Sequence, residues 1–198
     1  FQDKRVRQAF NLAISRQNAV ASLPESTTYG FYVAPSNIWG YTVDEIKKWP
    51  GYREDKTEDL AKAKKLMADA GYPNGFEVKA LCRDTADYRD NHCPFIAFEL
   101  QKIGIKSTLD VKESASWVDE RTNHKYTVEY GVGTAGAADD PDFFLDLYQC
   151  NVPENYSQYC NPKFDELFRL QQATTDPAAR SAIIKQIQDI LREDLPYI

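Results

Sequence analysis

Apolar residues recur along the chain with two different periods. Helical spacing predicts helices over residues 4–14, 16–23, 57–70, 114–121, 162–168 and 177–191, and a further helix that starts at about 88 or 94 and ends at 103. Strict alternation predicts strands over residues 76–82, 105–111 and 126–132. Because a helix separates each strand from the next, the order β-α-β-α-β predicts an α/β lobe.

Helix-capping residues support these boundaries. Ser, Asp and Asn side chains accept hydrogen bonds from the free N–H groups of a first turn, and proline fits the first helical position. The predicted N-caps are Asp3, Ser15, Ser114, Asn161 and Asp176. Gly71, followed by Tyr72-Pro73, is typical of a left-handed helix stop.

Residues 24–56 show no sustained period and are rich in proline, glycine and aromatic residues. A loop of this length is either functional or packed by its own side chains. We expect most of its aromatic side chains to hold the loop against the domain, since large apolar groups are usually inside. One or two of them, with Trp39 as the candidate, are expected to contact a ligand.

The chain from 131 to 168 combines unusual features. Small residues over 131–138 permit close approach of the backbone to a ligand, or merely a tight connection between two elements. The acidic turn that follows contains Asp139, Asp140 and Asp142. These carboxylates are open to interpretation as glycosidase groups or calcium ligands, although Asp on either side of proline is also ordinary turn and cap chemistry.

Composition excludes several classes of function. The 198 residues are 42% hydrophobic and 13% aromatic, which favours a globular chain with one substantial core. A net charge of −6 argues against nucleic-acid binding, because phosphates require a basic face. No apolar run approaches the roughly 20 residues that cross a bilayer. The chain begins at Phe1 and ends as a strand would begin, so we expect a piece of a longer protein.

Four cysteines fall into two local pairs, Cys82 with Cys93 and Cys150 with Cys160. An even count, short intervening loops and no CxxC spacing predict two disulfides, and therefore an oxidising compartment. The alternative is a metal site that uses His92 beside Cys93, for which the chain offers few further ligands.

Several segments together resemble one family, the solute-binding proteins of bacterial ABC importers that capture oligopeptides, dipeptides and nickel complexes (extracellular solute-binding protein family 5). The segments lie in the family's order and cover nearly the whole chain. They are DKRVRQAFNLAISR at 3–16, AKAKKLMADAGYPNGF at 61–76, LQKIGI at 100–105, DPD at 140–142, NYS at 155–157, NPKFD at 161–165, and TDP at 175–177 with Arg180.

The resemblance implies that residues 1–198 are a single α/β lobe, the second (C-terminal) lobe of a two-lobed, type II-like periplasmic-binding-protein clamshell with a mixed sheet flanked by helices. The other lobe would lie outside this chain. The implied protein is a monomer without enzymatic activity, cofactor or bound metal. It would close over a peptide or related small solute and deliver it to an ABC permease. It would be periplasmic or extracellular, with any membrane anchor supplied by a segment outside these residues.

The resemblance also implies a ligand cleft beside the third strand. The candidate cleft residues are Thr134, Gly136, Ala137, Asp139, Trp39 and Trp117. Peptide-binding relatives carry an aspartate, which holds the ligand's α-amino group, where this chain has Ala137, and commonly an aromatic residue where it has Thr134. Loss of that charge-assisted contact, worth about 1.5–3 kcal/mol, argues against a peptide bound through its free N-terminus and leaves a ligand with another head group open. The alternative is that Asp139, two residues along, takes over the contact.

Two other classes of function stay open at the sequence level. One is a secreted hydrolase that uses Asp139 with Asp142. The other is a secreted protein-interaction module whose contact surface is the aromatic loop 29–52.

Overall fold

A computed structural model describes residues 2–23, 30–35, 38–130 and 140–198. The α-helices are α1 (Lys4–Ala13), α2 (Arg16–Ser22), α3 (Val43–Ile46), α4 (Thr57–Asp69), α5 (Cys93–Gln101), α6 (Ser114–Thr122), α7 (Asp142–Leu145), α8 (Pro162–Ala173) and α9 (Pro177–Asp194). The strands are β1 (Glu77–Arg83), β2 (Lys106–Lys112) and β3 (Val128–Glu129). A π-helical turn (Tyr88–His92) precedes α5, and a 3-10 turn (Asp146–Tyr148) follows α7.

The chain divides into two compact units. Unit 1 contains the described residues of 1–27 and 47–133 together with Ile198, and unit 2 contains those of 28–46 and 134–197. The prediction that all 198 residues act as one lobe therefore stays a prediction. None of the described helices is long and apolar enough to cross a membrane.

Unit 1 is built on a parallel sheet with strand order β2-β1-β3. Glu77 of β1 is opposite Lys106 of β2, and Leu81 is opposite Glu129 of β3. Val78, Ala80 and Cys82 of β1 face a core that they share with α1, α4 and α5. The alternate residues of β1 face the other side, where α6 packs, since successive side chains of a strand point to opposite faces.

Two turns with left-handed glycines start the sheet. Gly75 (φ +75°) precedes β1, and Gly104 (φ +84°) precedes β2. A Cβ on Gly75 would lie 2.0 Å from the carbonyl oxygen of Gly104, and a Cβ on Gly104 would lie 2.7 Å from that of Asn74. Only glycine fits this approach of two backbones.

Buried carboxylates on two helices of unit 1 anchor the segments that precede α4 and α2. Asp59 of α4 is fully buried and accepts hydrogen bonds from the backbone N–H of Gly51 (2.8 Å), from Arg53 and from Lys56 (3.2 Å). Glu99 of α5 is also fully buried; it accepts the backbone N–H of Ser15 at 2.7 Å and pairs with Lys102. Buried charges persist only when they are paired and hydrogen-bonded, which both of these are.

Unit 2 has its own apolar core between α8 and α9. Phe164, Leu167 and Phe168 of α8 pack against the buried face of α9, which is Ile184, Ile187 and Leu191. Asn161 and Asp176 cap these helices through their side-chain oxygens, 3.0 and 2.8 Å from the N–H groups of Lys163 and Ala179.

The α/β fold is confirmed, and most predicted elements are present with boundaries that differ by a few residues. Two differences lie near the sheet edge described below. Ser114 is not an N-cap: Glu113 is, because its carboxylate reaches the N–H groups of Ala115 (3.0 Å) and Ser116 (2.8 Å). The third strand, predicted over 126–132, comprises Val128–Glu129 among the described residues. The described strand pairs are parallel, and the further pairs that a mixed sheet requires stay a prediction.

Candidate functional site

The carboxyl ends of β1 and β3 carry the candidate site. The chain leaves β1 through α5 to reach β2 on one side, and β3 pairs on the other side of β1. This change of direction is a topological switch point, and ligands of open α/β sheets bind just outside the carboxyl ends of the strands there. Arg83, the last residue of β1, and Glu129, the last residue of β3, both lie at this edge.

Arg83 is held in place without being neutralised. Its Nε donates to the Oγ of Ser114 at 3.2 Å, and its Cζ lies 5.1 Å from the ring centroid of Trp117. Stacking on tryptophan attracts a guanidinium group through the ring quadrupole. Arg83 forms no ion pair with any described residue. A positioned guanidinium group without a carboxylate suits an anionic ligand group, which it binds through paired N–H donors.

A second guanidinium group, that of Arg121, also stacks on the ring of Trp117. The Cζ of Arg121, one helical turn along α6, lies 5.0 Å from the same ring centroid. Here a carboxylate is present, because the Nε of Arg121 is 3.2 Å from Oε2 of Glu129. Burial raises the pKa of Glu129, and the positive charge of Arg121 opposes that shift.

Three polar atoms of this cluster are buried in the described part of the chain and lack a hydrogen bond of good geometry there: the indole Nε1 of Trp117, the Nε of Arg121, which keeps its ion pair with Glu129, and the Oε1 of Glu129. The indole of Trp117 is still close enough to Glu129 to act against the rise of its pKa. The Trp117 side chain is itself buried, at 7% exposure. Unsatisfied buried polar groups are rare in native proteins and mark sites where function or an unseen ligand compensates for their cost.

Both predicted disulfides are present, Cys82–Cys93 and Cys150–Cys160. The metal alternative at His92 therefore lacks the thiolates it required, since both sulfurs of that pair are bonded to each other. The Cys82–Cys93 bridge is fully buried and links the end of β1 to the start of α5. It thus fixes the residue that immediately precedes Arg83.

The two described aspartates of the acidic turn, Asp140 and Asp142, are engaged in structural contacts. Asp140 pairs with Arg180, whose Nη2 is 2.9 Å from Oδ1. Asp142 accepts hydrogen bonds from the side-chain amides of Gln171 and of Gln172 (2.9 Å). The guanidinium group of Arg180 holds the pKa of Asp140 below its usual range. Carboxyl groups with these partners stabilise a turn and a neighbouring helix. This agrees with the non-catalytic interpretation of Asp140 and Asp142.

Trp39 and Trp117, the two aromatic cleft candidates, belong to different units. Trp39 packs against the core of unit 2, with the Cζ of Arg180 4.9 Å from its ring centroid and its carbonyl oxygen accepting from Gln188 at 3.2 Å. These contacts match the expectation that loop aromatics hold the loop in place. The other cleft candidates, Thr134, Gly136, Ala137 and Asp139, lie outside the described residues.

Sequence reasoning singled out Trp117 but missed its charged neighbours. Arg83 directly followed the strand predicted over 76–82, and Glu129 lay within the strand predicted over 126–132, 46 positions later. Only the pairing of β3 beside β1 brings them to one edge. The available signal was topological, since the final residues of neighbouring parallel strands meet at the same edge of a sheet.

Comparison with known proteins supports the family assignment. Residues 1–155 match the model of bacterial extracellular solute-binding proteins, family 5, middle region. The chain is 31% identical over 208 residues to heme-binding protein A of Haemophilus influenzae, covering 100% of this chain and 36% of that protein. It is 26% identical to the dipeptide-binding protein of Escherichia coli, covering 99% of this chain and 37% of that protein.

Solved structures show the same fold. The periplasmic binding protein DppA of Helicobacter pylori, in complex with the peptide STSA, superposes with a TM-score of 0.82 at 28% identity, over 99% of this chain and 38% of that one. The periplasmic murein tripeptide-binding protein MppA, at 21% identity, matches in fold with a TM-score of 0.85 over 98% of this chain and 38% of that one. The chain thus spans rather more than a third of the relatives it matches.

The sequence resemblance is therefore confirmed by a family model that covers more than three quarters of the 198 residues and by the fold of solved relatives. The chain belongs to the bacterial extracellular solute-binding proteins of family 5.

Proposed function

We propose that this chain is a ligand-binding lobe of an ABC-importer substrate-binding protein. It captures a peptide or related small solute by clamshell closure against a second lobe and delivers the solute to a membrane permease. The protein acts as a monomer outside the cytoplasm and has no catalytic activity. The two disulfides support an oxidising compartment, since such bonds persist where thiols are not kept reduced.

The observation that carries the proposal is the guanidinium group of Arg83. It lies at the switch point of the sheet, stacks on Trp117, and meets no carboxylate among the described residues. An arginine positioned in this way binds a carboxylate or phosphate group with two parallel hydrogen bonds. With Ala137 where relatives keep the carboxylate that holds an α-amino group, the site favours a solute that presents an anionic group.

The carboxylates invoked for a hydrolase do not compete with this proposal. Asp142 is engaged by Gln171 and Gln172, and Asp139 lies outside the described residues. A general acid or base needs a free oxygen within reach of its substrate, which these contacts oppose for Asp142.

Small-angle scattering of the full-length protein tests closure. We expect a smaller radius of gyration with the solute that mass spectrometry finds co-purified with it. A protein that shows no shift with that solute, or with a broad panel of peptides and metabolites, contradicts the proposal. Arg83→Gln should weaken binding of the anionic solute about tenfold or more, because a charge-assisted pair contributes roughly 1.5–3 kcal/mol.

A further inference from the structure

Two guanidinium groups share the indole of Trp117, but only one of them has a carboxylate among the described residues. Arg83 and Arg121 lie 5.1 and 5.0 Å from the ring centroid, and Glu129 is 3.2 Å from Arg121. Arg83, Arg121 and Glu129 together contribute two positive charges and one negative charge. Glu129 is 7% exposed and Arg121 is 13% exposed, so solvent screens their charges much less than at the surface.

We propose that Glu129 is a specificity-determining residue that limits this cluster to one net positive charge. By cancelling the charge of Arg121, it leaves Arg83 to select a ligand group with a single negative charge, such as a carboxylate, over one with two, such as a phosphate monoester. This inference rests on the proposed function, because it requires Arg83 to meet the ligand.

The position of Glu129 makes a purely structural role a poor explanation. A buried ion pair adds little to stability compared with apolar side chains of similar size. Here the Glu129 side chain is only 7% exposed, so the carboxylate also bears the desolvation cost of burial. Glu129 lies at the carboxyl edge of the sheet, beside a second arginine. The negative charge that it contributes there explains why a carboxylate occupies this buried position.

Coulomb's law gives the size of the effect. At an effective dielectric constant of about 20, one unit charge roughly 10 Å from an anion changes its affinity by about tenfold. A second negative charge on the ligand doubles that energy. The ratio of affinities for a dianion and a monoanion should therefore change about tenfold for each unit of charge added to or removed from the cluster.

Four versions of the full-length protein test this dependence. Arg121→Gln gives the cluster no net charge, the wild type and the double variant Arg121→Gln/Glu129→Gln each carry one positive charge, and Glu129→Gln carries two. Glu77→Gln is the matched control, since Glu77 is an exposed residue at the opposite end of β1, ion-paired with Lys106 at 3.6 Å.

Calorimetry at pH 8 uses three acetylated peptides of one sequence, which end in a carboxylate, an amide or a phosphate monoester that replaces the carboxylate. We expect the phosphate-to-carboxylate affinity ratio to rise about tenfold in Glu129→Gln and fall about tenfold in Arg121→Gln. It should return to the wild-type value in the double variant and stay there in Glu77→Gln. A residue with only a structural role would weaken all three peptides together and leave the phosphate-to-carboxylate ratio unchanged in every variant.

Failure of this inference is distinct from failure of the proposed function. If the wild type does not prefer the carboxylate to the amide, or Arg83→Gln keeps that preference, the anion site itself is wrong and both ideas fall. If Arg83→Gln removes the preference but the ratio is the same in all folded charge variants, only the role of Glu129 is overturned. Should Glu129→Gln not fold, the comparison of Arg121→Gln with the double variant decides the matter.

Discussion

Replacement of Asp59 by asparagine should destabilise unit 1 by about 3 kcal/mol. The side chain is fully buried and binds Arg53, Lys56 and the N–H of Gly51. Removing one partner of a buried ion pair typically costs about 3–5 kcal/mol, because the other charge stays buried alone. We take the lower end, since Arg53 is one-third exposed and keeps its pair with Glu58 at 2.7 Å.

The loss should depend on pH in a defined direction. Burial alone would raise the pKa of Asp59, but hydrogen bonds from Arg53 and Gly51 and the charge of Lys56 hold it below its usual range. When folding lowers the pKa of a carboxyl group, the stabilisation is complete above the pKa of the unfolded chain, about 3.9. It is lost as the pH falls through the pKa of the folded protein. The difference between wild type and variant should therefore shrink below about pH 4.

Native-state hydrogen exchange over residues 47–69 of the full-length protein measures this loss. The matched control is Asp69→Asn, the same substitution at the end of the same helix, where the carboxylate pairs with an exposed lysine, Lys65, at 2.8 Å. Exposed pairs contribute about 0.2–1 kcal/mol, so the control should barely change protection. If Asp59→Asn costs less than about 1 kcal/mol, or no more than the control, the network does not hold unit 1 together as inferred.

Three further predictions concern other parts of the chain. Replacing both Cys82 and Cys93 with alanine should lower the free energy of unfolding, measured in urea, by about 3 kcal/mol. The Cys150–Cys160 disulfide is more exposed, so added reductant should open it first, as mass spectrometry of alkylated thiols would show. Burial lowers the pKa of Lys56 to about 8, so stability should rise between about pH 8 and 10, and Lys56→Gln should flatten that rise in urea titrations. Arg180→Met should raise the pKa of Asp140, measured by carboxyl NMR, and an unchanged value would contradict their pairing.

Much of the fold follows from local rules. The helix stripes of α4, α8 and α9, the caps at Asn161 and Asp176, and the left-handed stop at Gly71 all depend on neighbours a few positions away. Side-chain periodicity and capping chemistry act at that range, so the sequence alone predicts them.

The failures share a physical cause. A hydrophobic pattern assigns charged residues to the surface, so it could not place Asp59 and Glu99 in the core. Their burial depends on partners distant in sequence, such as Ser15 for Glu99. The candidate site needed the same kind of information, because Arg83 and Glu129 become neighbours only when β3 pairs with β1.

The paired glycine turns bear on how such a family can diversify. Gly75 and Gly104 meet where β1 and β2 begin, which is the edge opposite Arg83 and Glu129. A strand of seven residues separates the two edges by about 20 Å. Backbone contacts at the starting edge therefore help to set the pairing register, far from Arg83 and Glu129. Under the proposed function, side chains at the carboxyl edge could change to suit a different solute without shifting the register of β1 and β2.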